Sequence, residues 1–216
     1  MTGHHHQQNP PADTDPTRFW DERYGQSDRI WSGQVNPVLA EVAAELTPGT
    51  VLDLGCGEGG DAIWLAARGW RVTAVDISTV ALERLAVEAA RAGVADRITT
   101  ARHDVLHDFP AGRFDLVSAQ FFQSPLILPR EQVLPLAAGA VASGGRLLVV
   151  EHGAPPPWSG LDPDDPRFAT PDEILAAMAL DPESWETERL GEFRRIATHD
   201  GHTGELVDHV VLARRR

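Results

Sequence analysis

The length, composition and charge of the chain limit the classes of function open to it. Its 216 residues are 42% hydrophobic, enough for one α/β domain that buries on the order of 70% of its unfolded surface. The formal net charge of −13 disfavours binding to a phosphate backbone, which requires clustered Lys and Arg. We therefore expect a small-molecule ligand and no nucleic-acid partner.

Cysteine usage and hydropathy indicate where the protein works. Cys56 is the only cysteine, so no internal disulfide can form and a reducing compartment is expected. No stretch approaches the roughly 18 apolar residues of a membrane span, and the N-terminus lacks an apolar signal region. The sequence thus predicts a cytoplasmic protein with no membrane partner, either a monomer or a homodimer.

The N-terminal part of the chain is polar and then becomes aromatic. Residues 1–16 carry three consecutive histidines and three prolines and are predicted to be a disordered tail, native or part of a tag. A short amphipathic helix is expected at 17–24. Trp31 follows in a polar loop, and Asn36-Pro37 is typical of a helix start.

Residues 51–76 predict a strand, a glycine turn, a helix and a second strand. The apolar run 51–54 is typical of a buried parallel strand, and helix formers at 62–68 follow the glycines. Glycines let the backbone approach a ligand, and the helix N-terminus offers free N–H groups. Asp76 ends the second strand about 20 residues after the turn, where a carboxylate can bind both hydroxyls of a ribose.

The glycine turn alone does not define the nucleoside. Gly55-x-Gly57-x-x-Gly60 also satisfies the dinucleotide fingerprint. However, Asp53 and Glu58 would repel a pyrophosphate and attract a ligand that carries an ammonium and a sulfonium. S-adenosylmethionine carries both of these cations, so it is the favoured ligand. An NAD(P)-dependent oxidoreductase remains the alternative.

Two sets of residues resemble a known family. Residues 53–59, with Asp76 after the second strand, resemble motif I and its acidic partner in class I S-adenosylmethionine-dependent methyltransferases. Ahead of them, Trp20-Asp21-x-x-Tyr24, Trp31-Ser32-Gly33 and Asn36-Pro37 resemble the tellurite-resistance and thiopurine methyltransferase-like branch. The resemblance covers about residues 19–214. It implies one methyltransferase domain at 17–216, with an aromatic lid at 17–35 and a Rossmann-like core at 36–216.

The remaining elements fit this fold class. Strands are predicted at 97–102, 114–119 and 146–151, and two more at 185–197 and 205–214 form a hairpin. Helices are predicted at 78–93, 130–142 and 170–180. We therefore expect an α/β protein with a Rossmann-like, seven-stranded, mostly parallel sheet, helices on both faces and an antiparallel last strand.

The resemblance also implies which residues form the site. The cofactor is expected to contact residues of the lid, the glycine turn and the tips of the next strands: Trp20, Trp31, Asp53, Gly55, Cys56, Gly57, Asp76, Ile77, Asp104, Val105 and Gln120. Asp104 would bind the adenine amino group, Val105 would pack on its face, and Gln120 would hold the methionine end. The acceptor pocket is expected to include Phe121, Phe122, Gln123 and Trp158.

The expected reaction is methyl transfer from S-adenosylmethionine to an O, N or S atom of a small, aromatic or heterocyclic molecule, as in detoxification or secondary metabolism. Because the sulfonium is already activated, the protein mainly has to align the reactants and exclude water. His152 is the candidate general base, since imidazole titrates near neutrality; a structural His152 is the alternative. No metal is expected. A non-catalytic S-adenosylmethionine-binding protein is a third possibility.

Overall fold

The computed structural model describes residues 13–126, 128–162, 165, 167–199 and 201–216. The tail predicted at 1–16 therefore lies mostly outside the described residues. The strands found in the described part are β1 Thr50–Leu54, β2 Arg71–Asp76, β3 Ile98–Arg102, β4 Phe114–Gln120, β5 Val141–His152, β6 Trp185–His199 and β7 His202–Arg215. The α-helices found there are α1 Pro16–Gly25, α2 Pro37–Ala44, α3 Gly60–Ala67, α4 Thr79–Arg91, α5 Arg130–Gly139 and α6 Pro171–Ala177.

The strands form one seven-stranded sheet in the order β3-β2-β1-β4-β5-β7-β6. Strands β3, β2, β1, β4 and β5 pair in parallel, whereas β7 is antiparallel to both β5 and β6. The predicted fold class is thereby confirmed, including the terminal hairpin. The strand order reverses between β1 and β4, and open α/β sheets bind ligands at this point, beyond the carboxyl ends of the strands.

Both faces of the sheet are buried. On one face, Val51 of β1 packs with side chains of α2, α3 and α4; this is called the α3 face. On the other, Leu52 and Leu54 pack with side chains of α5 and α6; this is called the α5 face. Because side chains alternate along a strand, Asp53 of β1 lies on the α3 face, and so does Gln120 of β4, four residues after Leu116, which packs on that face.

Local sequence signals determine several helix ends. The Ser78 side chain accepts a hydrogen bond from the Ala81 N–H at the start of α4. Thr170 and Glu173 form a capping box at the start of α6, which lies within the helix predicted at 170–180. Asn36 precedes Pro37 at the start of α2, but its side chain does not cap that helix. Its amide instead donates to the Asp61 carboxylate at 2.7 Å, which ties α2 to α3.

The region predicted as a helix over 130–142 is shorter in the structure. Helix α5 ends at Gly139, and β5 already begins at Val141, which pairs with Phe114. Gly144 and Gly145, which lie between the predicted helix and the strand predicted at 146–151, are inside β5, next to a shift in its register with β4. A Cβ at Gly145 would lie 2.9 Å from the Asp115 carbonyl oxygen, so close backbone packing requires glycine there.

None of the helices among the described residues is long and apolar enough to cross a membrane.

Candidate cofactor and acceptor site

The turn after β1 has the geometry that the glycines predict. Gly55, Gly57 and Gly59 adopt positive φ angles of 67°, 52° and 83°, which favour glycine. A Cβ at Gly57 would lie 2.9 Å from the Tyr24 hydroxyl oxygen, and one at Gly55 would collide with the Phe122 ring. The turn is therefore closely covered from both sides, and no larger residue fits at either position.

Asp76 at the end of β2 holds this turn in place. Its carboxylate accepts hydrogen bonds from the backbone N–H groups of Gly57 and Ser78, both at 2.9 Å. Burial raises the pKa of Asp76, against the effect of these N–H donors. Each carboxylate oxygen keeps a further lone pair, so these bonds are compatible with the predicted contact to a ribose.

Two buried acceptor atoms lie next to the turn without a hydrogen-bond partner among the described residues. They are Asp53 Oδ2 and Gln120 Oε1. Asp53 of β1 pairs with Ser118 of β4, and Gln120 lies two residues further along β4 on the same face. The Gln120 amide nitrogen donates to the Ser118 hydroxyl at 3.0 Å, which directs its oxygen away from that contact.

Buried polar groups are normally hydrogen-bonded, so two adjacent unpaired acceptors indicate a missing donor. Burial, and then the charges of Asp61 and Asp76, raise the pKa of Asp53 well above its ordinary value. A cationic hydrogen-bond donor would offset the free-energy cost of ionising the buried Asp53, because it stabilises the carboxylate. The ammonium of S-adenosylmethionine is such a donor, so the residues present fit this cofactor.

The residues around the next strand tips make contacts with neighbouring parts of the chain. Asp104 accepts from the Leu106 N–H at 3.2 Å and lies 3.0 Å from His107 Nδ1. Val105 is buried in the core of the α5 face. The Ile77 carbonyl accepts from the Arg102 side chain. The predicted adenine contacts of Asp104 and Val105 remain predictions.

Cys56 has a packing role in the turn. Its backbone N–H donates to the Val75 carbonyl at 3.0 Å, which joins the turn to β2. Burial raises the pKa of its thiol, so the thiolate required of a nucleophile is disfavoured.

Glu58 is placed differently from the sequence interpretation. It was expected to present charge to the ligand, but its carboxylate accepts from the N–H groups of Ile30 and Trp31 at 3.0 and 2.9 Å. Arg84 of α4 neutralises it at 2.7 Å. Glu58 therefore fixes the N-terminal segment, and Asp53 is the carboxyl group of the two that is left to disfavour a pyrophosphate.

The segment 17–35 lies over the glycine turn and is fastened to the core by polar contacts. Arg84 also donates to the carbonyls of Tyr24 and Ser27. Asp21 accepts from the Ser78 hydroxyl at 2.6 Å. Trp31 Nε1 donates to the Tyr24 hydroxyl at 3.0 Å, and both rings lie beside Gly57.

The two tryptophans predicted for the lid are not equivalent. Trp31 is beside the turn, although 47% of its surface is exposed. The described ring contacts of Trp20 are all within α1, with Phe19, Arg23 and Tyr24. Sequence reasoning missed Tyr24 as the residue that reaches Gly57, although the Trp20-Asp21-x-x-Tyr24 pattern contained it.

On the acceptor side, the two phenylalanines after β4 diverge. Phe122 packs over Gly55. Phe121 has a φ angle of 51°, rare for a side chain of this size, and its ring stacks on His152 with centroids 4.3 Å apart. The strained backbone thus directs one ring to the cofactor turn and the other to the tip of β5.

Gln123 and Trp158, both predicted to line the acceptor pocket, make other contacts. The Gln123 amide oxygen accepts from the His152 N–H at 2.7 Å, and its nitrogen donates to the carbonyls of His152 and Arg167. Its amide therefore fastens the loop after β4 to the tip of β5. Trp158 lies beside Gly204 of β7. A substrate role for either residue remains a prediction.

His152 is held by residues that the sequence analysis did not identify. Its Nδ1 lies 3.0 Å from Asp208 Oδ1, and Asp208 is 1% exposed. Arg195 Nε donates to the other Asp208 oxygen at 2.6 Å. Burial alone would raise the pKa of Asp208, but the bonds from His152 and Arg195 hold this pKa below its ordinary value.

Among the described residues, no group of three or more His, Cys, Asp or Glu side chains is arranged to hold a metal ion.

Comparison with known proteins agrees with this geometry. Residues 51–145 match the family described as "Methyltransferase domain". A probable chloroplastic tocopherol O-methyltransferase of Oryza sativa subsp. japonica is 34% identical over 56% of this chain. A 2-heptyl-1-hydroxyquinolin-4(1H)-one methyltransferase of Mycobacteroides abscessus is 29% identical over 79% of it. The chain spans 35% of the rice protein's length and 74% of the mycobacterial one's.

Solved structures share the fold. The N-methyltransferase NodS of Bradyrhizobium japonicum, in complex with S-adenosylhomocysteine, has a TM-score of 0.67 at 17% identity and covers 93% of this chain and 99% of its own. TehB of Haemophilus influenzae has a TM-score of 0.63 at 19% identity, and the match covers 93% of this chain and 67% of the TehB chain. A structure concerned with the conversion of a disulfide bond into a thioacetal group during echinomycin biosynthesis has a TM-score of 0.72 at 24% identity, with 92% of both chains covered.

The family match and the solved structures agree with one another. Residues 51–145 match a methyltransferase domain, and the chain shares the Rossmann-like fold of solved methyltransferases. This result favours methyl transfer over the oxidoreductase alternative.

Proposed function

We propose that this protein transfers a methyl group from S-adenosylmethionine to an O, N or S atom of a small aromatic or heterocyclic molecule. The observation that carries the proposal is the pair of unpaired acceptors, Asp53 Oδ2 and Gln120 Oε1, beside the glycine turn. They lie on the α3 face of the sheet, as do Phe121 and His152. The methyl donor and the methyl acceptor would therefore meet over the same face of the sheet.

The residues around the turn would bind and orient the cofactor. When bound, S-adenosylmethionine supplies an electrophilic methyl group. Asp53 and Gln120 would accept from its ammonium, and Asp76 from its ribose. Tyr24 and Trp31, which cover Gly57, would exclude water from the reacting centre. Alignment of the two reactants within about 3 to 3.5 Å is the main catalytic requirement.

The acceptor would bind beyond the end of β4. Phe121 offers an aromatic surface, and offset stacking favours a planar acceptor. His152 is the candidate general base, since its side chain is 32% exposed and reachable. The names of the rice and mycobacterial relatives, which refer to a tocopherol and a hydroxyquinolinone, support an aromatic or heterocyclic acceptor.

Membership of the tellurite-resistance and thiopurine methyltransferase-like branch is also a proposal. It is supported by the aromatic N-terminal segment and by the shared fold of TehB. We likewise propose that residues 17–35 act as a lid on the single domain 17–216, that nucleic acid is not a substrate, and that the protein works in the cytoplasm.

A screen for methyl transfer tests the proposal. The protein would be incubated with S-adenosylmethionine carrying a labelled methyl group and with phenols, thiols, heterocyclic amines or inorganic chalcogen anions. We expect transfer to at least one aromatic or heterocyclic acceptor, and loss of transfer in Gln120→Ala. Transfer only to chalcogen anions would contradict the proposed acceptor class. Cofactor binding without transfer to any compound would favour the non-catalytic alternative.

A further inference from the structure

Three strands contribute to one line of polar contacts at the edge of the proposed acceptor site. His152 of β5 pairs in register with Asp208 of β7, which pairs with Phe193 of β6. Arg195 lies two residues beyond Phe193 on the same face. The side chains are connected by contacts of 3.0 Å, from His152 to Asp208, and 2.6 Å, from Asp208 to Arg195.

This line of contacts lies on the sheet face that carries the proposed cofactor groups. Gln120 of β4 pairs with Val150 of β5, and His152 follows Val150 by two residues. Since side chains alternate along a strand, Gln120, Val150 and His152 point to the same side. Phe121 covers one face of the His152 ring.

Asp208 selects one tautomer of His152. An ionised carboxylate only accepts hydrogen bonds, so the His152 Nδ1 that contacts it carries the proton. In the neutral ring, Nε2 is then left with its lone pair. Arg195 keeps Asp208 ionised, because a buried carboxylate retains its charge when a cation is bonded to it.

We propose that Asp208 and Arg195 are positioning residues, which hold His152 in the Nδ1–H tautomer, so that Nε2 of the neutral ring is free to receive a proton. This inference rests on the proposed function for its consequence, which concerns the class of acceptor. A general base in a fixed orientation suits an acceptor whose reacting atom enters protonated, as an O–H, N–H or S–H group. Such a base is not needed when the acceptor is already an anion or is a tertiary amine.

Methyl transfer to such an acceptor would release one proton, which His152 would receive. The bond between the acceptor atom and its hydrogen breaks, and the proton moves to His152 Nε2. The electron pair on the acceptor atom forms the new bond to the methyl carbon. The bond from that carbon to sulfur breaks and leaves its electrons on sulfur, which becomes neutral. His152 then releases the proton to water, which reaches its partly exposed ring.

The charges around His152 predict opposite effects of two substitutions. Among the described residues on the α3 face, Asp208 is the anion that contacts His152, and Arg195 is the cation bonded to Asp208. On the α5 face, the neighbouring Glu151 is paired with Arg130 at 3.1 Å, and His209 contacts the Ala169 carbonyl. Loss of the anion on the α3 face should make His152 easier to deprotonate, and loss of the cation should make it harder.

Nitrogen NMR of the histidine rings tests the inference without knowledge of the acceptor. The His152 signals in the full chain are assigned by their absence in His152→Gln. We expect the Nδ1–H tautomer in the wild type, with a titration midpoint that is lower in Asp208→Asn and higher in Arg195→Met than in the wild type. Arg195→Lys, which keeps the charge, should titrate like the wild type.

A matched control is available on the same strand. Arg194 is bonded to Glu192 and Glu205 and points away from the α3 face, so Arg194→Met should leave the His152 midpoint unchanged. The Nε2–H tautomer in the wild type would overturn the inference. So would midpoints that move in the same direction, or not at all, in Asp208→Asn and Arg195→Met. If Asp208→Asn fails to fold, the His152 midpoint in Arg195→Met decides alone: a midpoint above that of the wild type supports the inference, and any other result overturns it.

Binding and turnover separate this inference from the proposed function. We expect Asp208→Asn to bind S-adenosylhomocysteine like the wild type, with kcat lowered about 100-fold and the pH profile of kcat/KM moved with the NMR midpoint. Lack of S-adenosylhomocysteine binding by the wild type would overturn the proposed function and leave the tautomer result standing. If the wild type is active and Asp208→Asn has the same kcat, the positioning role of Asp208 and Arg195 is overturned, whereas the proposed function stands.

Discussion

At the scale of single residues, Asp53 shows a conflict between stability and binding. Its carboxyl group is buried and has an acceptor atom without a partner among the described residues. A protein that needed only packing at this position would carry an apolar side chain, because an unpaired buried acceptor costs about 1–3 kcal/mol. Such local conflicts are typical of functional sites.

Asp53→Asn should therefore stabilise the cofactor-free protein at neutral pH. Burial raises the pKa of Asp53 in the folded protein above its ordinary value of 3.8. The folded state then binds more protons than the unfolded state, so the free energy of unfolding decreases as the pH rises above that value. We expect Asp53→Asn to gain roughly 1–2 kcal/mol at pH 7 and little at pH 3, measured by urea unfolding.

The same variant should bind S-adenosylhomocysteine about tenfold to a hundredfold more weakly, because a charge-assisted hydrogen bond is lost. The exposed Asp96 provides the control, since Asp96→Asn should change neither property. Destabilisation of Asp53→Asn at pH 7 would contradict the interpretation of the carboxyl group as an unpaired acceptor.

Single residues also mark where sequence reasoning ended. The positions of Asp53, Asp76 and the glycines were predictable because they lie on adjacent elements. Asp208 was not, because its pairing with His152 depends on the register of β7 against β5, strands far apart in the chain. Glu58 was misinterpreted because Arg84, its partner, is supplied by α4, which follows only after α3 and β2.

At the scale of elements, the N-terminal segment is held over the site through Arg84. This guanidinium joins the buried Glu58 of the turn to two carbonyls of the segment. The helices and strands themselves followed from apolar runs, caps and glycines, which are local signals. The early start of β5 was missed because pairing of Val141 with Phe114 overrides the helical pattern before it.

Arg84→Met should loosen this segment. Removal of the cation leaves the Glu58 carboxylate buried with only backbone N–H donors, at a cost of roughly 2 kcal/mol. We expect faster amide hydrogen exchange at Ile30 and Trp31 and an affinity for S-adenosylhomocysteine lower by about tenfold. Arg91→Met is the matched control, because Arg91 is an exposed arginine on the same helix, paired with Glu88. Equal exchange rates in the two variants would contradict the fastening role of Arg84.

At the scale of the whole molecule, the sheet brings distant residues to one edge. The strand order β3-β2-β1-β4-β5-β7-β6 places the tips of β1, β2, β4 and β5 side by side, with the hairpin against β5. The seven-stranded, mostly parallel sheet with its antiparallel last strand was predicted from the sequence, but the strand order was not. The acceptor pocket was less predictable from the sequence, because it depends on loop conformations and on side chains that are brought together only by the register between strands.

Calorimetric titration of the full chain tests the central claim, that the turn after β1 binds S-adenosylmethionine. We predict saturable binding of S-adenosylhomocysteine and none of NADH. Asp76→Ala should weaken S-adenosylhomocysteine binding by about 1.5 to 3 kcal/mol, because it removes a charged acceptor from the ribose. Binding of NADH, with no heat from S-adenosylhomocysteine, would contradict the account.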